Sequence, residues 1–438
     1  MKPVRIFTVF LFVLCLLLCH GCEENSNVSA GIFTPAKPDG SYEANLELIS
    51  NNEQAGDSTY ISGIRTGVHR SSLVSSQAFE CTDDGVYYLA LAPVDFYVDG
   101  VFYPGSNAMY LFFSPHDSDQ FIKLCGRPDC THDTYSCNAA YQFGMNNICY
   151  YNGYLYIAAN DWDHQGGIVQ IYRVNLDGSN RVLICSFGDR SYGGMNGAQF
   201  IDGIFTVNLV KINYETGEEV YDRFYYALDG SMAEPAISHN FYPWVNQENM
   251  DVWGIEKGDS YGFQIYSVDF RKDESEFVFD AMKYQNGYWC KEFGYTLVDG
   301  KVLKVYYEDG REELLFDTGL TDGVYFPRFF PDCIALTQRT DTTGQRPDVP
   351  MIYFYSWEGE LLGELPIDFP TRVPSPDAII GNGESKDRFY LKTVNTAGNL
   401  PTYYIEKSDF GTGKIELHLC QYPDLDEETY RNLFGFDP

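Results

Sequence analysis

The chain has 438 residues, and its 30 basic against 62 acidic side chains leave a formal charge of −32. Such a surface repels phosphate backbones, which argues against nucleic acid as a partner. Aromatic residues make up 16%, with 35 Tyr and 31 Phe beside 40 Gly, a mixture that favours strands and turns over long helices.

Residues 1–21 read as an export signal. Lys2 and Arg5 precede an apolar run from Ile6 to Leu18, and Gly21 stands directly before Cys22. The run is shorter than the roughly 20 residues a membrane-spanning helix needs. Its end resembles the lipobox of bacterial lipoproteins, in which the cysteine after the cleavage site carries a diacylglyceryl group. Cys19 and His20 are unusual at the two positions before the glycine. Lipidation of Cys22 is the expectation, with an ordinary cleaved signal and an uncleaved anchor as the alternatives. The membrane is then a partner through the N-terminal lipid, and the address is the extracytoplasmic face of the bacterial cell membrane. Residues 22–41 are polar and carry Pro and Gly, as a flexible tether does. Residues 42–78 are an N-terminal segment able to supply a ring-closing strand.

From residue 79 to 424 the sequence repeats loosely. Asp84-Gly85, Asn152-Gly153, Asp202-Gly203 and Asp299-Gly300 each precede an alternating apolar stretch, which is a hairpin signal. A second set of strands places Tyr110, Tyr172, Tyr225, Tyr266, Tyr306, Tyr353 and Tyr403 ahead of another turn. These markers recur every 40 to 62 residues, about 49 on average, which is the size of one propeller blade. Each unit reads as a strand, a D/N-G turn, a returning strand, an aromatic strand and a short outer strand. The expectation is an all-β, seven-bladed β-propeller, with six or eight blades as alternatives because the fourth and sixth units are weakest. First and last blades must be fastened together, by residues 42–78 or by the tail after Cys420. Residues 425–438 form an acidic C-terminal tail with a short helix starting near Asp426.

The peptide CGRPDCTHDTYSC, residues 125–137, gathers Cys125, Cys130, His132 and Cys137. Zinc takes four thiolate or imidazole donors in a tetrahedron, and this peptide supplies that number. Beyond the signal and Cys22, nine cysteines remain, and nine cannot all pair; three zinc ligands would leave an even six. Export favours oxidation of thiols. A local disulfide, a structural metal and free buried thiols all stay open for this peptide, which would follow the outer strand of the first blade on the way to the second. A bond from Cys420 to a first-blade cysteine would fasten the ring.

Other motifs read as structure. Gly258-Asp259-Ser260-Tyr261-Gly262 matches G-x-S-x-G, but the residues after it alternate like a strand where a nucleophile elbow needs a helix, and His418 is the only downstream histidine. A hairpin turn is expected there. Asp83, Asp84, Asp202 and Asp387 are carboxylates at blade starts, where acidic residues beside glycine are usually turn formers. Asp161 and Asp163 could contribute to a calcium site, although no EF-hand loop is present.

A Gly-Cys export start, a loose YxxDG/NG β-pattern and the C-x4-C-x-H-x4-C peptide together resemble a group of uncharacterised bacterial propeller-type lipoproteins, with distant likeness to TolB-type propellers. The resemblance implies a fold and a surface location and brings no known reaction. The expected function is a lipid-anchored binding or scaffold module for a glycan, peptide or partner protein, in preference to an enzyme; a propeller-fold glycan lyase or hydrolase is the alternative.

Overall fold

The computed structural model describes residues 78–425 except 94–95, 99–100, 104–106, 133–135, 143–146, 161–167, 190, 193, 202, 214–215, 217, 239–244, 248–249, 258–259, 270–273, 285–286, 291, 342–344, 346–348, 368–380, 392–402. The export signal, Cys22, the tether, all but Ala78 of segment 42–78 and the helix expected near Asp426 lie outside the described residues, as do Asp161, Asp163 and Asp202.

The protein is all-β and antiparallel. Among the described residues the only helical element is a single 3₁₀ turn, Lys407–Asp409, and no helix is long and apolar enough to cross a membrane. Among the described residues, seven sheets of four or five strands follow one another along the chain, each a meander of sequence neighbours. Sheet one holds Phe79–Cys81, Gly85–Pro93 and Asn107–Pro115, with Ile122–Lys123 and Ala140–Gln142 sharing its outer edge. Sheet two holds Asn147–Tyr151, Tyr154–Asn160, Ile168–Asn175 and Val182–Gly188. Gly194–Ile201, Ile204–Asn213, Glu218–Ala227 and Ala236–Ser238 form sheet three, and Val245–Gln247, Met250–Lys257, Ser260–Asp269 and Glu274–Asp280 form sheet four. Sheet five is Gly287–Trp289, Phe293–Val298, Lys301–Tyr306 and Glu312–Asp317; sheet six is Gly323–Phe329, Ile334–Asp341, Met351–Tyr355 and Leu361–Pro366. Sheet seven is Gly381–Glu384, Arg388–Leu391, Tyr403–Glu406 and His418–Leu419. A two-stranded ribbon, Phe96–Val98 with Val101–Tyr103, extends between the second and third strands of sheet one.

All seven marker tyrosines fall on the third strand of their sheet. The reason is packing. The third strand lies inside the meander, where a ring is at least partly covered: Tyr110, Tyr225 and Tyr403 are buried, and Tyr172, Tyr266, Tyr306 and Tyr353 half-buried. Fourth strands are edges and correspondingly wet: Phe277, Leu314 and Leu361 on three of them are 51%, 54% and 43% exposed. Turn chemistry is equally local. Asn152 and Gly153 both have positive φ, 48° and 80°, the pairing that a two-residue type I′ hairpin requires. Asp299-Gly300 makes a similar turn, but it joins the second and third strands of sheet five, whereas Asn152-Gly153 joins the first and second of sheet two. The dipeptide marks a turn without saying which one, because its backbone geometry is the same in either place.

First strands meet from sheet to sheet. Those of sheets one and two, two and three, three and four, and five and six are in contact, and so are those of sheets seven and one. Polar side chains help: Glu80 on sheet one accepts from the Tyr150 N–H of sheet two at 3.0 Å, and the Asn147 amide of sheet two donates to the Ala198 carbonyl of sheet three.

The sheet seven to sheet one junction is fastened by the tail after Cys420. Gln421 forms a parallel bridge with Gln120, its N–H donating to the Asp119 carbonyl and its carbonyl accepting from the Phe121 N–H, both at 2.8 Å. Asp424 accepts from the Lys123 N–H at 2.6 Å. Phe121 stacks on Tyr422 at 5.4 Å and meets Tyr390 edge-on at 5.8 Å. Arg388 donates to the Ser118 carbonyl and pairs with Glu406 at 2.9 Å. A single apolar cluster contains Tyr88, Phe121 and Ile157 with Tyr390 and Cys420, so core packing runs from sheet seven through sheet one into sheet two. The disulfide fastener considered for Cys420 is not formed: its thiol is free and fully buried.

Candidate metal centre

Ile122–Lys123 pair with Phe112 and Phe113, and Ala140–Gln142 pair with Ala108 to Tyr110, along the same third strand. Leu111 stands between the two pairings. Its carbonyl accepts from the Leu124 N–H and its N–H donates to the Ala139 carbonyl, both at 2.8 Å. The fourth strand therefore leaves the sheet after Leu124 and returns at Ala139 beside the same residue. This corrects the position expected for the cysteine peptide: it is an excursion inside the outer strand of sheet one, and not the connection that follows that strand. Register shifts on the third-to-fourth pairings of sheets two, four, five and six show single-residue bulges on that edge. Sheet one carries a large excursion on the same edge.

At the neck of the excursion, Cys125, Cys130, His132 and Cys137 come together, each offering one ligand atom, and these atoms all lie within 4.8 Å of one another. His132 Nδ1 is 3.2 Å from the Cys137 sulfur. Cys125 and Cys137 are buried, and Cys130 and His132 are half-buried. His132 has a φ of 60°, a left-handed conformation uncommon for a side-chain-bearing residue, and its carbonyl is held by the Tyr110 hydroxyl at 2.6 Å. Arg181 of sheet two donates to the Cys137 and Ala140 carbonyls at 2.8 and 2.6 Å, and Arg127 donates to the Ser136 carbonyl at 2.8 Å. Gly126 faces the sheet-two turn so closely that a Cβ there would lie 2.5 Å from the Ser179 nitrogen.

The two buried thiols are electrostatically unlike. Burial works to raise the Cys125 thiol, but backbone hydrogen bonds at Asn138 and Arg127 and the neighbouring Cys130 and Cys137 outweigh it and hold it below the usual thiol range. Cys137 is pushed up, first by burial and then by the proximity of Cys125. Backbone N–H groups aimed at sulfur are the donors that a thiolate ligand uses. Three sulfurs and one imidazole nitrogen at this separation are able to bind a metal such as zinc, and all four positions of a tetrahedron would be filled by protein.

Cys125, Cys130 and Cys137 are not joined by a disulfide in this structure. Cysteine spacing in the sequence identifies the four donors. It does not reveal Tyr110 and Arg181, whose supporting roles come from strand pairing and from a neighbouring sheet.

The other sequence candidates are scattered. Ser260 begins the third strand of sheet four opposite Lys257 and a strand, not a helix, follows it; Gly258 and Asp259 of the G-x-S-x-G segment lie outside the described residues. His418 stacks on Tyr404 at 5.0 Å in sheet seven. Asp83, Asp84 and Asp387 are exposed in turns before second strands. Among the described residues only one group of three or more Cys, His, Asp or Glu could hold a metal, and it is the one at the neck.

No protein-family model matches the chain, and no curated protein matches it either. Among solved structures the chain is similar to the β-propeller domain of the Trilobed protease from Pyrococcus furiosus, at 11% identity and a TM-score of 0.42, over 82% of this chain and 98% of that one. It is similar to TolB from Acinetobacter baumannii at 11% identity and a TM-score of 0.31, over 63% of this chain and 62% of that one. PorZ, a surface component of the type-IX secretion system of Porphyromonas gingivalis, shares 10% identity at a TM-score of 0.34, over 80% of this chain and 39% of its own.

Proposed function

We propose that the chain is a seven-bladed β-propeller, anchored through a lipid on Cys22 to the extracytoplasmic face of a bacterial cell membrane, that acts as a binding or scaffold module for a glycan, peptide or partner protein. The observation that carries the ring is the contact between the first strands of sheets seven and one, together with the Gln120 to Gln421 bridge. Contact between the first and the last unit is what circular packing of blades requires. In such a ring the turns and loops of several blades converge near the axis, where propellers bind ligands.

Within this reading Cys125, Cys130, His132 and Cys137 hold a structural zinc. The metal closes the neck of the excursion and keeps it against the turn at Gly178 and Ser179. With no open coordination position it stabilises and does not catalyse.

The test is a thermal-shift and glycan-array screen of the mature domain with and without chelator. Chelator lowers melting and reductant does not; melting that responds only to reductant would exclude the metal. Arrayed glycans and peptides retained by the domain identify its ligand class, and processive cleavage of any of them would overturn the non-catalytic assignment. Incorporation of labelled fatty acid tests the anchor, and persistence of label in Cys22→Ala would remove it.

A further inference from the structure

Sheets six and seven meet at a charged cluster that no repeat position marked. Asp332 lies in the turn between the first two strands of sheet six, Glu384 ends the first strand of sheet seven, and Lys407 directly follows the third strand of sheet seven. The Lys407 Nζ is 2.6 Å from Oδ2 of Asp332 and also contacts Oε1 of Glu384. Glu384 is 1% exposed and Lys407 13%, while Asp332 is 32% exposed at the rim.

The surroundings are aromatic. The Phe389 ring centre is 5.2 Å from Nζ, and Phe389 packs against Phe330 at 4.6 Å and Phe410 at 5.9 Å. The fully buried Cys333 adjoins the same groups. Backbone bonds hold Lys407 and the turn that carries Asp332: the Lys407 N–H donates to the Asp387 carbonyl, and the Phe330 N–H to the Cys333 carbonyl, both at 2.8 Å.

Two carboxylates and one ammonium make an unbalanced triad in a chain that is already strongly acidic, and removing such ions from water is costly. Burial disfavours the Lys407 ammonium, but Glu384 and Asp332 beside it outweigh this and hold its pKa above the usual lysine value, so the amine that amide formation needs arises only as a proton passes to a neighbouring carboxylate. A nitrogen nucleophile, a carboxyl carbon beside the oxygen it touches, and a second carboxylate on the same nitrogen form a complete set for that reaction.

We propose that Lys407 and Asp332 become joined by an intramolecular isopeptide bond, with Glu384 as the catalytic proton shuttle. The Lys407 nitrogen gives up a proton to Glu384 and attacks Cγ of Asp332, forming the C–N bond. The tetrahedral carbon then breaks its bond to one carboxyl oxygen. That oxygen takes the two protons shed by nitrogen, relayed by Glu384, and departs as water. No oxidation or reduction occurs and no co-reactant is consumed. Fixed proximity supplies the drive: effective molarities for well-oriented intramolecular reactions reach about 10⁵ M and above. The product ties sheet six to sheet seven across 75 residues of sequence, beside the junction at which sheets seven and one meet.

The test is mass spectrometry of the denatured full chain and of its proteolytic peptides. The expected result is an intact mass lighter by one water, and a branched peptide in which the Asp332 and Lys407 segments travel together. Lys407→Ala and Asp332→Ala each recover the water and yield separate peptides; Glu384→Gln leaves a large unlinked fraction. Wild-type protein with its full mass and two unlinked peptides overturns the bond, whether or not the variants fold. Complete linkage in Glu384→Gln overturns the role of Glu384.

Discussion

The excursion at 125–138 and the seam between sheets seven and one both hold a non-repeating segment against a repeating sheet, and they do so with different chemistry. The seam uses backbone hydrogen bonds from Asp119, Phe121 and Gln421 and a cluster of rings built on Phe121, Tyr390 and Tyr422. Of the excursion's described residues, Cys125 and Cys137 are buried, while Gly126 to Asp129 are exposed. Closing a loop of that length costs roughly 2 kcal/mol beyond a constant, and a few exposed residues cannot repay it by burial. A metal bound at the neck would substitute for a core, much as disulfides and metals do in small domains. At the seam ordinary side chains suffice, because apolar surface from two whole sheets is available.

Breaking the neck is expected to have the largest effect. Cys137→Ser removes a ligand and leaves a buried hydroxyl, and should destabilise the protein by more than about 3 kcal/mol, measured by urea unfolding, with bound zinc per chain falling in elemental analysis. An unchanged metal content would refute the assignment of Cys137. Phe121→Ala strikes the seam: losing a fully buried ring that touches Tyr88, Tyr390 and Tyr422 should cost about 3–5 kcal/mol without altering zinc content. The contrast between these two zinc readings is the sharpest separation of the two regions.

Smaller changes refine the comparison. Arg388→Met deprives Glu406 and the Ser118 carbonyl of their partner and is expected to cost about 2–3 kcal/mol, seen as faster amide exchange at Gln120 and Gln421. Gly126→Ala forces a Cβ against the Ser179 backbone from a φ of +65° and should cost about 1–3 kcal/mol, whereas at Gly153, where a Cβ meets nothing within 4 Å, only the turn penalty of about 1 kcal/mol applies.

The least effect is expected from acid. Hydrogen bonds from Lys283 and then Tyr284 hold Glu312 below its usual range, so its contribution is present above the unfolded carboxylate pKa and is lost as pH falls through the depressed one. Because Glu312 is 40% exposed, Glu312→Gln should change stability by only about a few tenths of a kcal/mol, with the difference from wild type vanishing at low pH.

Much of this organisation was legible in local sequence. Strand alternation, turn dipeptides and a tyrosine on each third strand depend on neighbours within a few residues, so Tyr110 and its six counterparts could be found by spacing alone. The four donors at the neck were legible too, since Cys and His at short intervals are rare outside such sites. The placement of Asp299-Gly300 was not, because one turn geometry serves two different connections.

What the sequence determined by itself is the set of units, their order and the donors of the cysteine peptide, all of which follow from short-range periodicity. Tertiary structure alone decided that this peptide is an expansion of an edge strand, that Arg181 and Tyr110 brace it, that Gln421 closes on Gln120, and that Lys407 meets Asp332 and Glu384. Those contacts join residues up to 301 positions apart, as at Lys123 and Asp424. Nothing in the local pattern of either partner encodes them; they arise when the sheets pack and bring their edges and turns together.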